Sequence, residues 1–210
     1  FFVFGRGKKC RLALGEAEHD QLLPAVSLVP RCAVLSVACG RAHTLLLLEE
    51  SHVLSWGEGL AGQLGHHNLT GHLSRPTAIQ ALKASPTEGA VIQVAAAGNR
   101  SLALRENGGV YAWGDNTKGH LSLTTRGFIA KPSKIDSVGL ENKRVTQIAL
   151  STLTGAAVDD KGGLWMWGEN GHGQLGFGDR ERRDFALRVT TGLHHEPVVQ
   201  IALGSSHSVA

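Results

Sequence analysis

A chain of 210 residues with 42% hydrophobic and 19% charged side chains and a formal charge of +3 carries no polyelectrolyte tail and no strongly basic face for nucleic acid. Its longest apolar runs, TLLLL and AVIQVAAAG, are too short to span a bilayer, and no basic start leads into a long apolar core, so neither a membrane span nor a signal peptide is expected. Three cysteines, Cys10, Cys32 and Cys39, with no CxxC pair predict neither a disulfide framework nor a zinc site, and favour a reducing, intracellular setting.

The first element in chain order is the apolar stretch FVFG at 2–5, an aromatic residue followed by glycine. GRGKKCR then gathers Arg6, Lys8, Lys9 and Arg11 in one loop, solvated charge by default and a candidate contact for phosphate or an acidic partner. From residue 38, ACGRAHTLLLLEESHVLSWG reads as a small-residue strand, a turn, an apolar strand starting at His43, a second turn, and a strand carrying Leu54, Trp56 and Gly57. His66, His67 and His72 in GHHNLTGH are expected to be loop histidines, with no carboxylate at zinc-site spacing. Asn68-Leu-Thr70 and Asn99-Arg-Ser101 match the glycosylation triplet, which carries little meaning without a secretory signal.

LKASPTEGA at 82–90 is the longest insertion. After it, RSLALRENGGVYAWG is an apolar run, an Asn/Gly turn and a second apolar run ending in Trp113-Gly114, which predicts a β-hairpin. The same reading applies to TGAAVDDKGGLWMWG, which ends in Trp165, Trp167 and Gly168; Gly168, Gly171, Gly173 and Gly176 are expected to turn the backbone out of that strand. GEGLAG and GENGHG are glycine-rich, but neither opens a helix, so no phosphate cradle is expected. DRERRD clusters Arg180, Arg182 and Arg183 among acids, LHHEP adds His194 and His195, and IALGSSHSVA begins another strand pair with His207. No segment has a helical period of useful length, so the fold class is all-β.

These elements repeat. Phe4, Trp56, Trp113 and Trp167 are anchors of four units, approximately 1–52, 53–109, 110–163 and 164–210, within one domain over 1–210. In each unit a leucine follows the anchor at constant spacing (Leu12, Leu64, Leu121, Leu175), and Pro24, Pro76 and Pro132 follow in three of them. His43, Arg100 and Thr154 share one position, 13 residues before the next tryptophan, and His207 takes it in the last partial copy. The residue two before each anchor is large and apolar (Phe2, Leu54, Tyr111, Trp165), so both side chains are expected on one buried sheet face. The strands VAAAG and IALG use small residues, as a crowded place where sheets converge requires. Because the aromatic–glycine pattern recurs in every unit, a packing role is expected for it rather than a cofactor pocket; His43 and His207 are expected to be structural, buried or half-buried, with ring nitrogens that satisfy neighbouring backbone groups.

WGENGHGQLGFGD at 167–179 and ACGRAHTLLL at 38–47 resemble the repeat of the regulator of chromosome condensation family, and the resemblance covers essentially the whole chain. It implies a seven-bladed β-propeller of radial four-stranded blades. About four blades are expected here, since a full ring would need about 370 residues. Phe4-Gly5, CRLA at 10–13, GHLS at 119–122, Arg100 and Thr154 depart from the family pattern.

No catalytic constellation, metal site or cofactor is expected. The function expected is a non-catalytic protein-interaction scaffold within a larger protein or assembly, its partners being proteins or the rest of its own chain, with Arg6, Lys8, Lys9, Arg180, Arg182 and Arg183 as candidate contacts. The alternative implied by the resemblance is guanine-nucleotide exchange on a small GTPase, which would need a protruding wedge that 82–90 is too short to form. Ultraviolet-B photoreception, another activity in the family, goes with a GWRHT context; here it reads GRAHT at 40–44, and that activity is not expected.

Overall fold

The computed structural model describes residues 2–5, 12, 21–26, 33–68, 71–135, 139–193 and 196–210. Arg6, Lys8, Lys9, Arg11, Cys10, Cys32, Thr70, His194 and His195 lie outside the described residues. Among those described, the strands are β1 (Phe2–Gly5), β2 (Gln21–Val26), β3 (Val34–Cys39), β4 (His43–Leu48), β5 (Val53–Glu58), β6 (His72–Ala78), β7 (Val91–Ala97), β8 (Arg100–Arg105), β9 (Val110–Asp115), β10 (Phe128–Lys134), β11 (Val145–Leu150), β12 (Thr154–Asp159), β13 (Leu164–Gly168), β14 (Arg183–Arg188), β15 (Ala202–Leu203) and β16 (Ser208–Val209). The only helical pieces among them are two single 3-10 turns, at Glu49–Ser51 and Gln80–Leu82.

β3–β6, β7–β10 and β11–β14 form three antiparallel four-stranded sheets, each a meander in chain order, and β1–β2 and β15–β16 form two-stranded ones. The pairs are halves of the same plan. Phe2↔Val26 and Gly5↔Gln21 repeat Leu54↔Ala78 and Gly57↔Leu73 of the outer strands, whereas Ala202↔Val209 and Leu203↔Ser208 repeat Ala95↔Leu102 and Ala96↔Ser101 of the inner ones. The described residues therefore form three complete blades and two half-blades, four blades' worth of strands. A blade takes its inner two strands from one sequence unit and its outer two from the next.

Blades pack face to face, and the sequence shows why. Leu54 and Trp56 lie in one buried cluster, Tyr111 and Trp113 in another, and Trp165 and Trp167 in a third, each pair on one sheet face as the period of two requires. The second of these clusters joins Leu45, Leu47 and Val53 of one blade to Val94, Ala103 and Trp113 of the next; the third joins Leu102, Val110 and Ala112 to Ile148, Ala157 and Trp167. The small-residue strands β3, β7 and β11 lie side by side, where alanines let three sheets approach. Gln93 fastens β7 to β11, its amide donating to Ile148 O and accepting from Ile148 N at 2.9 Å each, and Gln147 Oε1 accepts from Ile201 N at 3.1 Å one blade on.

The glycine after each tryptophan is fixed by close approach. Gly57, Gly114 and Gly168 have φ of +101°, +106° and +108°, and a Cβ on them would collide with Ala42 O, Asn99 O and Leu153 O. Gly173 and Gly176 also have positive φ, but Gly171 does not, and a Cβ there would touch nothing; sister units place Leu60 and Thr117 at this position. The expectation that Gly171 is needed to turn the backbone is thus corrected: it lies in an exposed turn whose geometry does not require glycine.

Candidate interaction surface

A meander puts its first and third connections at one end of each blade and its second at the other. One face of the arc therefore carries the tight turns at 40–42, 98–99 and 151–153 together with the long loops 59–71, 116–127 and 169–182. The opposite face carries the turns at 49–52, 106–109 and 160–163 and the connections between blades, including the 82–90 insertion.

The long loops are held from inside by repeated hydrogen bonds. Gln63 Oε1 accepts from Ala61 N and Gln174 Oε1 from His172 N, at 2.8 and 2.9 Å. Asn116 Oδ1 accepts from Leu121 N and Asn170 Oδ1 from Leu175 N, both at 2.9 Å, while the Asn116 amide donates to Leu123 O and Thr125 O and that of Asn170 to Asp179 O. Gln63, Asn116, Asn170 and Gln174 are all buried, so these backbone groups are satisfied without water. The tips differ. Leu60, His67 and Asn68 are exposed on the first loop; Thr117, Lys118 and Arg126 on the second; His172, Arg180 and Arg182 on the third. Leu60 is 56% exposed, Leu153 on a neighbouring tight turn 37%, and Phe128, where the second loop enters β10, 50%; these are exposed large apolar side chains at this end of the blades.

An ionic chain joins the second and third loops across a blade boundary. Asp184 pairs with both Arg126 and Arg182, Arg182 lies 3.7 Å from Glu169, and Glu169 meets His120 Nε2 at 2.9 Å. Arg183 is turned inward, 2.6 Å from Asp179 and over the Phe177 ring at 5.0 Å. Of the three arginines in DRERRD, Arg180 is the exposed one with no ion pair among the described residues. Arg126, Glu169 and Asp184 were not named as contacts from the sequence, because the pairs that cross the blade boundary, Glu169 with His120 and Asp184 with Arg126, lie 49 and 58 residues apart. The buried asparagines could have been found, since WGDN and WGEN repeat them three residues after the anchor.

The repeat histidine is part of the blade boundary. His43 is 1% exposed, and its Nε2 meets the Ser101 hydroxyl of the next blade at 2.9 Å; Ser101 Oγ in turn donates to Gln63 O at 3.0 Å. Its partner is thus a side chain and not the backbone group expected for a satisfied core histidine. Burial pulls the His43 pKa down to about 4, against a weaker upward pull from Glu58. The ring is neutral at pH 7. His66 and His120 are also lowered, mainly by burial. Arg100, at the same repeat position, instead reaches Thr152 O of the following blade and Asp115 O. His207, at the same repeat position, places its ring against Gly204 as that of His43 lies against Gly40. His72 begins β6 rather than lying in a loop.

These pKa shifts set a pH dependence. A folded-state pKa below the unfolded value of about 6.5 means that the unfolded chain binds more protons between pH 6.5 and 4, so stability rises with pH through that window. Stability is expected to fall by about 3 kcal/mol from His43 alone as pH drops from 7 to 4. Urea melts of His43→Asn at pH 7 and pH 4.5 should show a smaller loss than the parent chain, and equal losses would refute the assignment.

The repeat pattern described as "Regulator of chromosome condensation (RCC1) repeat" matches residues 1–47, 50–104, 107–157 and 161–210. The chain belongs to the RCC1 repeat family. Within that family it is similar to human "E3 ubiquitin-protein ligase HERC2", 34% identical over 212 residues, all of this chain but 4% of that protein. It is also similar to "Ultraviolet-B receptor UVR8" of Arabidopsis thaliana, 34% identical over 209 residues, 99% of this chain and 46% of the receptor. Among solved structures, yeast RCC1 (Prp20) in its complex with Kap60 superposes with a TM-score of 0.81 at 18% identity, over 99% of this chain and 48% of that one. The RCC1-type propeller fold is shared, and the chain spans less than half the length of each of these relatives. Neither the ligase nor the receptor activity in those names is thereby assigned to these residues. No helix among the described residues is long and apolar enough to cross a membrane.

Proposed function

We propose that this chain is a non-catalytic protein-interaction scaffold, a propeller module of a larger protein or assembly, and that it binds through the face bearing the 59–71, 116–127 and 169–182 loops. One observation carries the reading: the three loops share one backbone turn, closed by Gly62 N on Gly59 O, Gly119 N on Asn116 O and Gly173 N on Asn170 O, yet present different chemistry at their tips, apolar and histidine on the first, threonine, lysine and arginine on the second, histidine and arginine on the third. A rigid frame with variable tips is how loops serve recognition. Yeast Prp20, which has this fold, was solved bound to Kap60, and we carry over the mode, a propeller docking a protein, without the partner.

The 82–90 insertion lends no support to the exchange-factor alternative. Arg105, 1% exposed, donates to Ala81 O, Lys83 O and Gly89 O and lies 3.4 Å from Glu88, whose other oxygen accepts from the Tyr111 hydroxyl. The insertion is bound down on its blade and does not project as a wedge.

The test is quantitative capture from a cell extract by three immobilised proteins: the chain, a loop-face variant (Leu60→Asp, Lys118→Glu, Arg180→Glu) and an opposite-face variant (Lys143→Glu, Lys161→Glu). Partners retained by the opposite-face variant and depleted at least tenfold by the loop-face variant are expected. Equal capture by all three, or loss confined to the opposite-face variant, would overturn the proposal.

A further inference from the structure

The two faces of the arc dispose their charges differently. On the loop face the acids are engaged within the chain. Asp115 is held by Arg100 and the Thr117 hydroxyl, Glu169 by His120 and Arg182, Asp179 and Glu181 by Arg183, and Asp184 by Arg126 and Arg182. Glu58, the other described acid at that end, is buried. Three cations are left over. Arg41 on a tight turn, Lys118 on the second loop and Arg180 on the third are exposed, and none of them pairs with an acid among the described residues. The opposite face has no such bias: exposed Glu141, Asp160 and Glu196 stand there without ion pairs, as do Lys143 and Lys161, among the described residues. The uncompensated charge of the loop face is therefore of one sign, and it attracts anions.

The same end exposes Leu60, Leu153 and Phe128. All three belong to complete four-stranded blades. The first loop leans on the next blade through His67 N, which donates to Ala130 O at 2.9 Å, and the 151–153 turn is gripped by Arg100 of the preceding one. Gly62 packs so closely on Ile129 and Ala130 that a Cβ there would collide with their backbone, which sets Leu60 and Phe128 on the two sides of one blade boundary. These side chains stay in solvent with those neighbours in place.

We propose that the loop face recognises a short linear segment of a partner protein that is acidic and carries large apolar side chains. Its carboxylates meet Arg41, Lys118 and Arg180, and its apolar side chains cover Leu60, Leu153 and Phe128. The inference rests on the loop face being the binding face, and adds the chemistry of the occupant. A basic segment would find the carboxylates of this face already engaged. A nucleic acid backbone would leave the three apolar side chains uncovered, and three cations spread over separate blades are few for a phosphate track.

The test is selection from an unbiased random-peptide display library on the immobilised 210-residue chain. Enriched peptides, fluorescein-labelled, are then titrated by anisotropy against the chain and three variants: a charge variant (Arg41→Glu, Lys118→Glu, Arg180→Glu), an apolar variant (Leu60→Ser, Leu153→Ser) and the opposite-face variant (Lys143→Glu, Lys161→Glu). All these positions are exposed, so melting temperatures should stay within a few degrees of the parent. Enriched sequences are expected to be net acidic and to contain Leu, Ile, Phe or Trp. The charge variant should bind them at least tenfold more weakly, the apolar variant at least threefold, and the opposite-face variant within about twofold. Raising NaCl from about 50 to 300 mM should weaken them at least threefold. Enriched peptides without an acidic excess that still lose affinity for the apolar variant would sink this inference and leave the loop face standing. Peptides sensitive to the opposite-face variant alone would sink both. Enrichment of no peptide would contradict the inference, since no linear segment would then suffice. So would a fluorescein-labelled oligothymidylate that binds more tightly than every peptide and is lost in the charge variant, because the occupant would then be a nucleic acid.

Discussion

Trp113→Ala is expected to destabilise the chain by about 3–5 kcal/mol, the range for removing a large aromatic from a core. The indole is fully buried, packs on Val53 and Ile79 of the preceding blade as well as on its own, and ties the blades through Gln63 O. Truncation therefore opens a cavity at a blade boundary and leaves that carbonyl with Ser101 as its remaining side-chain donor. Trp113→Phe should cost less, about 1–2 kcal/mol, chiefly the hydrogen bond and the smaller ring. Chemical denaturation measures both, and a near-neutral Trp113→Ala would show that the boundary is not held by the indole.

The second large effect comes from adding a single methyl. Gly114→Ala is expected to cost about 3 kcal/mol or more, because the backbone there sits at φ +106° and the new Cβ would run into Asn99 O and Arg100 Cα of the preceding turn. Backbone atoms on both sides leave no side chain to swing away. Gly171→Ala, two residues before a positive-φ glycine and close to another anchor, is the control: its Cβ meets nothing, and its effect should stay within about 0.5 kcal/mol. Thermal melts of the pair separate geometric need for glycine from glycine that merely occurs in a loop. Equal effects would contradict this reading of the tryptophan–glycine pair.

That contrast also marks what a sequence of this kind reveals. The hairpins, the shared face of Tyr111 and Trp113, the small-residue strands at the blade junction and the burial of His43 follow from periodicity and recurrence, which local residues set. Gly57, Gly114 and Gly168 were legible as special but for a different reason: their need comes from the turn of the preceding hairpin, 14 or 15 residues back, not from leaving the strand. Contacts between blades were not legible. The Ser101 hydroxyl under His43, the Gln93 amide on Ile148 and the Asp184 carboxylate on Arg126 each join residues 55 to 58 apart, where repetition predicts neighbouring blades but not which polar atoms meet.

The binding face is the account's central claim, and hydrogen–deuterium exchange of the chain with and without a captured partner tests it most directly. Exchange at the tips of 59–71, 116–127 and 169–182 should slow on binding, while amides at 80–90, 106–109 and 160–163 on the opposite face keep their rates. Protection confined to the opposite face would contradict the account.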